Sequence, residues 1–78
     1  MKFDYNICNQ ADEEIFNKQC KALEKHIPNL IKLDMLTDVD GSKIQRYELN
    51  GKKIVVYNHF VIDAVFIKSD VDIEQYFS

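Results

Sequence analysis

The stretch that decides the fold is IVVYNHFVIDAVFI, residues 54–67, in which only Asn58, His59 and Asp63 interrupt the apolar and aromatic residues. A strand with one face in water alternates apolar and polar residues, and this stretch scarcely alternates. Its apolar residues therefore need cover on both faces of a sheet. Either the rest of this small chain or another protein has to supply the second cover.

Turn signals divide the chain around this stretch into four short strands. Asn50-Gly51 is the strongest signal, because both residues tolerate the positive φ of a tight hairpin. Asp40-Gly41 is a second signal of this kind, and Asn58-His59 predicts a third tight turn. Strands joined by such turns form an antiparallel meander. The four predicted strands are residues 30–37, 43–49, 52–57 and 60–67.

A long helix is predicted ahead of these strands, over residues 9–26. Asn9 is the expected N-cap, and Pro28 ends the helix by forcing Ile27 out of the α region. Glu14 and Lys18 are spaced for an ion pair along the helix surface. Apolar residues at helical spacing predict one buried stripe. The stripe consists of Phe16, Cys20, Leu23 and Ile27.

The predicted fold is α+β in two layers, with the long helix packed on a four-stranded antiparallel β-meander. The sheet has five strands if residues 2–7, where Phe3, Tyr5 and Ile7 alternate, join its edge. A short C-terminal helical turn is expected after Ser69. At 78 residues the chain is expected to form a single domain, residues 1–78.

One helix covers one side of a sheet, so the other side is the candidate binding surface. The even positions from Phe60 to Phe66 are all apolar and are expected to face the helix. The aromatic residues of the two chain ends would cover the opposite face, or a partner protein would. Asp63 is either a polar anchor in that face or a charge that keeps an edge strand from pairing. The predicted partner-binding residues are Val55, Tyr57, Val61, Asp63, Val65 and Ile67.

The net charge of −3 equals the charge of an acidic tail, residues 69–78, which contains no base. The acidic residues of this tail are Asp70, Asp72 and Glu74. A nucleic-acid-binding protein presents a basic patch, whereas the only adjacent bases here are Lys52 and Lys53 in a predicted turn. The sequence therefore predicts no nucleic-acid partner.

No motif for catalysis or for a metal or cofactor occurs. Cys8, Cys20, His26 and His59 lack the spacing of a zinc site, and neither glycine lies at a strand-to-helix junction that could bind phosphate. An enzyme that uses Cys8 and His59 remains the least favoured alternative, because nothing in the sequence brings them together. Twelve helical residues would hold the two cysteines apart as free thiols. No membrane span or signal sequence is apparent, so a cytoplasmic location is expected.

Small size, net acidity and surplus apolar sheet residues together predict a non-enzymatic protein-binding module. Such a protein could inhibit or regulate a larger, basic partner such as a nuclease, since opposite charges speed encounter. Bacterial immunity proteins, antitoxins and phage-encoded inhibitors resemble this chain in size and charge only. The alternative is a self-associating structural module, in which the apolar face pairs with a second copy across a two-fold axis.

Overall fold

The computed structural model describes residues 2–77, which form an antiparallel sheet, one helix and a short 3-10 helix. The strand order is β1-β5-β4-β3-β2, so the first two strands of the chain are the two edges of the sheet. This confirms the α+β class and shows that the amino-terminal segment is the fifth strand. The elements are β1 (Phe3–Cys8), α1 (Glu13–His26), β2 (Ile31–Thr37), β3 (Lys43–Leu49), β4 (Lys52–His59), β5 (Ala64–Ser69) and the 3-10 helix (Glu74–Tyr76).

The start of α1 is capped by Asp12 and not by Asn9, so the predicted N-cap is wrong. The Asp12 carboxylate accepts a hydrogen bond from the Ile15 backbone N–H at 3.1 Å. The Asp12 backbone N–H donates to the Asn58 side-chain oxygen at 3.0 Å, which fixes the start of the helix against β4. This tertiary contact selects one cap from several polar candidates.

The rest of α1 confirms the predictions made for it. Its helical stripe of Phe16, Cys20, Leu23 and Ile27 is buried. Ile27 is extended, at φ −101° and ψ 111°, as the following proline requires. Glu14 and Lys18 form the expected ion pair at 3.5 Å.

The Asn50-Gly51 hairpin is also confirmed, with φ of 51° and 81° at the two residues. Gly41, at φ 89°, supplies the positive φ of the turn between β2 and β3. The third predicted turn is wrong, because β4 continues through His59 and the chain reverses over residues 60–63. The loop ends at Asp63, a non-glycine residue with φ 61°.

The predicted faces of β5 are also wrong. The register pairs Val56 with Ile67 and Asn58 with Val65, so the odd positions of β5 lie on the helix side of the sheet. Both faces of this strand are apolar, and the pattern therefore gave no preference between them. The main core, between α1 and the sheet, includes Phe16, Leu23, Tyr47, Leu49, Ile54, Val56, Val65 and Ile67.

The chain ends do not cover the second face of the sheet, as one alternative required. Tyr5 of β1 lies on the helix side, where its hydroxyl donates to the Asp72 carboxylate at 3.1 Å. The Ile73 backbone N–H donates to the same hydroxyl at 3.3 Å, and the Ile73 side chain joins the core. The Phe77 ring lies 5.2 Å from that of His26. Both ends therefore close the helix side.

Candidate protein-binding surfaces

Three segments meet at one end of the sheet, and we call this region the loop end. It comprises residues 11–14 at the start of α1, the β2–β3 turn (38–42) and the β4–β5 loop (60–63). The Ala11 backbone N–H donates to the Asp63 carboxylate at 2.8 Å. The Phe60 backbone N–H donates to the Ser42 hydroxyl at 2.9 Å. These bonds hold the three segments together, and most of their side chains apart from the buried Ser42 stay exposed.

Four large apolar side chains are exposed at the loop end. Val39 is fully exposed, and Val61 is 77% exposed. Ile62 and Phe60 are about half exposed or more, although one edge of the Phe60 ring packs against Gly41. Scattered exposed apolar residues are ordinary, but a cluster on connected loops is typical of an interaction site.

The same three segments also carry carboxylates. The loop end and its ion pairs contain six acidic residues and only two bases, which gives a net charge of −4. Since the whole chain carries −3, the remaining residues sum to +1. The loop end is therefore more acidic than the tail, residues 69–78, which carries −3. The acidic residues are Asp12, Glu13, Glu14, Asp38, Asp40 and Asp63, and the bases are Lys18 and Lys43.

The turn carboxylates also fix the backbone that displays Val39. Asp38 accepts a hydrogen bond from the Val39 backbone N–H at 2.7 Å, and Asp40 accepts one from the Ser42 backbone N–H at 2.9 Å. The hydrogen bonds from Ser42 lower the pKa of Asp40 below its usual value. Asp40 is therefore ionised at neutral pH, and the turn keeps its negative charge.

The second surface is the side of the sheet opposite α1, which we call the open face. Its main feature is a straight apolar row across four strands, because the register places Leu36, Ile44, Tyr57 and Phe66 directly beside one another. The Tyr57 and Phe66 rings stack, with centroids 4.7 Å apart. A shallow groove of about 300 Å³ lies next to the row, and Leu33 and Val55 help to line it.

Strand β2 forms the outer margin of the open face and contributes nothing to the core. All seven of its residues are exposed, including four large apolar ones that are 39–50% exposed. Among the described ion pairs, one joins β2 to α1: Lys32 lies 3.6 Å from Glu24. The exposed apolar residues of β2 are Ile31, Leu33, Met35 and Leu36.

The charges of the open face balance, unlike those of the loop end. Arg46 lies 3.9 Å from Asp34 on the neighbouring strand. The register also places Lys68 opposite Asp4, and Lys53 opposite Glu48. Three bases on these strands thus lie beside three acids.

The structure divides the six predicted partner-binding residues among three places. Val55 and Tyr57 lie on the open-face side of the sheet, where Val55 is only 6% exposed, and Val61 and Asp63 lie at the loop end. Val65 and Ile67 are 1% exposed or less beneath α1, so neither can touch a partner. The acidic tail lies at the opposite end of the sheet from the loop end, where Asp70 N–H donates to the Lys53 carbonyl at 2.9 Å.

Sequence reasoning missed several residues of both surfaces. Val39, Phe60 and Ile62 were not expected at an interaction site, although a valine within Asp-Val-Asp-Gly has little chance of burial. Leu36 was likewise not among the predicted partner-binding residues. The apolar row required the register of all four strands, which the sequence does not specify.

The residues considered for chemistry do not assemble. Cys8 pairs with Val65 and packs against the core on the helix side. His59 is next to Asn58, which shares that side, so the His59 side chain lies on the opposite face. Cys20 is buried, and burial raises the pKa of its thiol. Within residues 2–77, no cluster of three or more His, Cys, Asp or Glu residues is arranged to hold a metal ion.

No family model, curated protein or solved structure matches this chain. In the part of the chain that the structure describes, no helix has the length and apolarity to cross a membrane. Function is therefore inferred from the two surfaces themselves.

Proposed function

We propose that this protein is a non-enzymatic binding module that docks a larger, basic protein on its loop end. The kind of activity is that of an immunity protein, an antitoxin or a phage-encoded inhibitor, and the kind of target is a nuclease. The observation that supports the proposal is the cluster of Val39, Phe60, Val61 and Ile62 inside a group of six carboxylates.

The two components of the loop end have different roles in this proposal. Desolvation of the apolar cluster supplies affinity, as buried central residues do in protein interfaces. The carboxylates accelerate encounter with a basic surface and fix the orientation of the complex. A nuclease must carry lysines and arginines where it binds phosphates, and the loop end would occupy that surface as a polyanion does.

A cytoplasmic site of action is part of the proposal. Cys8 and Cys20 are both free thiols, and thiols stay reduced in the cytosol of bacterial hosts. Cys20 lies in the core, where its neutral thiol acts as a small apolar side chain.

Capture from a lysate of the native host tests the proposal with three matched baits. The baits are the wild-type protein, Val61→Lys at the loop end and Leu36→Lys on the open face. Each variant adds one positive charge at an exposed apolar position. We expect one basic protein to be retained by the wild type and by Leu36→Lys, lost with Val61→Lys, and released by about 0.5 M salt because screening weakens the attraction.

The captured protein is then purified and assayed with the wild type at equal concentration. If it is a nuclease, its cleavage of DNA or RNA should fall at least tenfold, and Val61→Lys should restore cleavage. Capture by all three baits alike, or full activity in the presence of the wild type, would overturn the proposal.

A further inference from the structure

We infer that the β4–β5 loop (60–63) is a pH-sensitive switch, in which the neutral imidazole of His59 holds the loop and the imidazolium releases it. The observation that carries this inference is a hydrogen bond from the Ile62 backbone N–H to His59 Nδ1, at 3.2 Å. The inference concerns the chain on its own and does not depend on the function proposed for the loop end.

The hydrogen bond at His59 exists only while Nδ1 carries no proton. A neutral imidazole has one nitrogen that accepts a hydrogen bond, whereas both nitrogens of an imidazolium are donors. Addition of a proton to Nδ1 would therefore set one N–H against another across the 3.2 Å to Ile62. Since histidine changes its charge between pH 5 and 8, mild acid is sufficient to break this bond.

Side-chain atoms hold the loop in place. The Phe60 backbone N–H donates to the Ser42 hydroxyl at 2.9 Å, and the Asp63 carboxylate accepts from the Ala11 backbone N–H at 2.8 Å. Within residues 60–63 of the described chain, no hydrogen bond joins two backbone atoms. Of the hydroxyl, the carboxylate and the imidazole that hold the loop, only an imidazole titrates near neutral pH.

The middle of the loop has little else to keep it in place. Phe60, Val61 and Ile62 are exposed, so burial of their side chains contributes little. Asp63 has φ 61°, in the left-handed region that is unfavourable for residues with a side chain. Loss of the bond at His59 should therefore free residues 61–62, while the bonds of Phe60 and Asp63 hold the two ends of the loop.

Asp40 provides the protonated ring with a partner. This carboxylate of the β2–β3 turn interacts electrostatically with His59, and it stays ionised in mild acid because the hydrogen bonds from Ser42 lower its pKa. On β5, the His59 ring stacks on Phe66 with centroids 6.3 Å apart, and Lys68 lies 6.0 Å from the centroid of the same Phe66 ring. The other titratable side chains around His59 are Asp38 of the turn, Lys43 of β3, Tyr57 of β4 and Asp63 of the loop.

Hydrogen exchange of the loop amides tests this inference, measured by NMR between pH 5 and 8 and corrected for the intrinsic exchange rate at each pH. The protection of the Ile62 amide should fall at least fivefold as the pH drops, with the same midpoint as the signals of the His59 ring. The Phe60 amide, which donates to the Ser42 hydroxyl, should keep its protection over the same range.

Two substitutions at His59 separate the accepting nitrogen from the ring. His59→Asn keeps an oxygen acceptor near the position of Nδ1 and does not titrate, so Ile62 should stay protected at every pH. His59→Phe keeps a ring that can stack on Phe66 but has no acceptor, so Ile62 should be unprotected at every pH. The matched control is His26→Asn, which removes the other histidine of the chain and should keep the wild-type pH dependence.

Far-UV circular dichroism at pH 5 and 8 shows that each protein is folded at both ends of the range. Constant protection of Ile62 in the wild type would overturn the inference. So would a fall that persists in His59→Asn, because a carboxylate would then be the titrating group, or a fall that disappears in His26→Asn. If neither His59 variant folds, the wild type and His26→Asn decide the question, with the Phe60 amide as the internal control.

Discussion

Strands β1 and β2 are the two edges of one sheet, and they have similar length and apolar content but different environments. Three of the four apolar side chains of β1 are mostly buried, and two of them, Tyr5 and Cys8, pack against the core. The apolar side chains of β2 are all exposed. The difference arises outside the strands: the C-terminal tail packs beside β1, and no comparable segment lies over β2 among residues 2–77. Apolar content therefore predicts that a strand needs cover and does not predict what provides it.

The largest loss of stability is expected on the helix side of the sheet, in β5, the strand that pairs with β1. Val65→Lys in β5 should destabilise the fold by at least about 4 kcal/mol, because the new charge would be buried without a partner. Val61→Lys, four residues earlier in the exposed loop, should change the free energy of unfolding by less than about 0.5 kcal/mol. Circular dichroism in a urea titration measures both values. A folded and stable Val65→Lys protein would contradict the burial described here.

A direct comparison of the two edges comes from one alanine substitution in each. Tyr5→Ala in β1 should cost about 2–3 kcal/mol, because it removes a side chain that contacts the core and the hydrogen bonds to Asp72 and Ile73. Leu33→Ala in β2 should cost less than about 1 kcal/mol in the monomer, since Leu33 is already 39% exposed. Urea unfolding at 1 µM gives both values, and equal losses would remove the distinction between the edges.

The next loss of stability is expected at Tyr47 of β3, a core residue on the strand that pairs with β2. Its hydroxyl donates to the Glu24 carboxylate at 2.7 Å, and burial raises the pKa of Tyr47 above its usual value of 10.0. In the unfolded chain the phenol ionises near pH 10 while the folded protein keeps its proton. Stability should therefore be intact below pH 10 and should fall as the pH rises further.

Tyr47→Phe should lower the free energy of unfolding by about 1 kcal/mol at neutral pH. Above pH 10 it should also remove a loss of stability of about 1.4 kcal/mol for each pH unit. Unfolding in urea at pH 7, 10 and 11 gives both quantities. An unchanged slope above pH 10 would show that Tyr47 ionises equally in both states.

The smallest loss of stability is expected at the contact between β2 and α1. Lys32→Ala removes the ion pair with Glu24, but both side chains are well exposed to water. The loss should be about 0.5 kcal/mol or less and should vanish in 1 M salt. Unfolding with and without salt measures it. A loss above about 2 kcal/mol would mean that β2 depends on the helix far more than its exposure indicates.

The parts of this fold that sequence could predict are those with one strong local signal. The helix stripe of α1, the stop at Pro28 and the Asn50-Gly51 hairpin each rest on residues close in sequence. The N-cap was wrong because several polar residues precede α1, and contact with Asn58, 46 residues away from Asp12, selects one of them.

The candidate site was harder to predict, for physical reasons that Val61 and Val65 illustrate. Both are valines in one apolar run, yet one is 77% exposed and the other is buried. Their difference depends on a loop of four residues where two were expected. The loop end itself combines three segments distant in sequence, and its charge could not be localised without the strand order. The carboxylates of the tail are more evident in the sequence, but they lie at the other end of the sheet.

The pairing of β1 with β5 also has a consequence for synthesis of the protein. Residues 3–8 have no strand to join until residues 64–69 have left the ribosome, because β1 pairs only with β5 in the sheet. During translation the first strand and the apolar face of the helix after it therefore remain without their final neighbours. Contacts between residues so distant in sequence slow folding. A nascent chain stalled before β5 should accordingly be digested readily by protease, and a chain stalled in a linker added after residue 78 should resist.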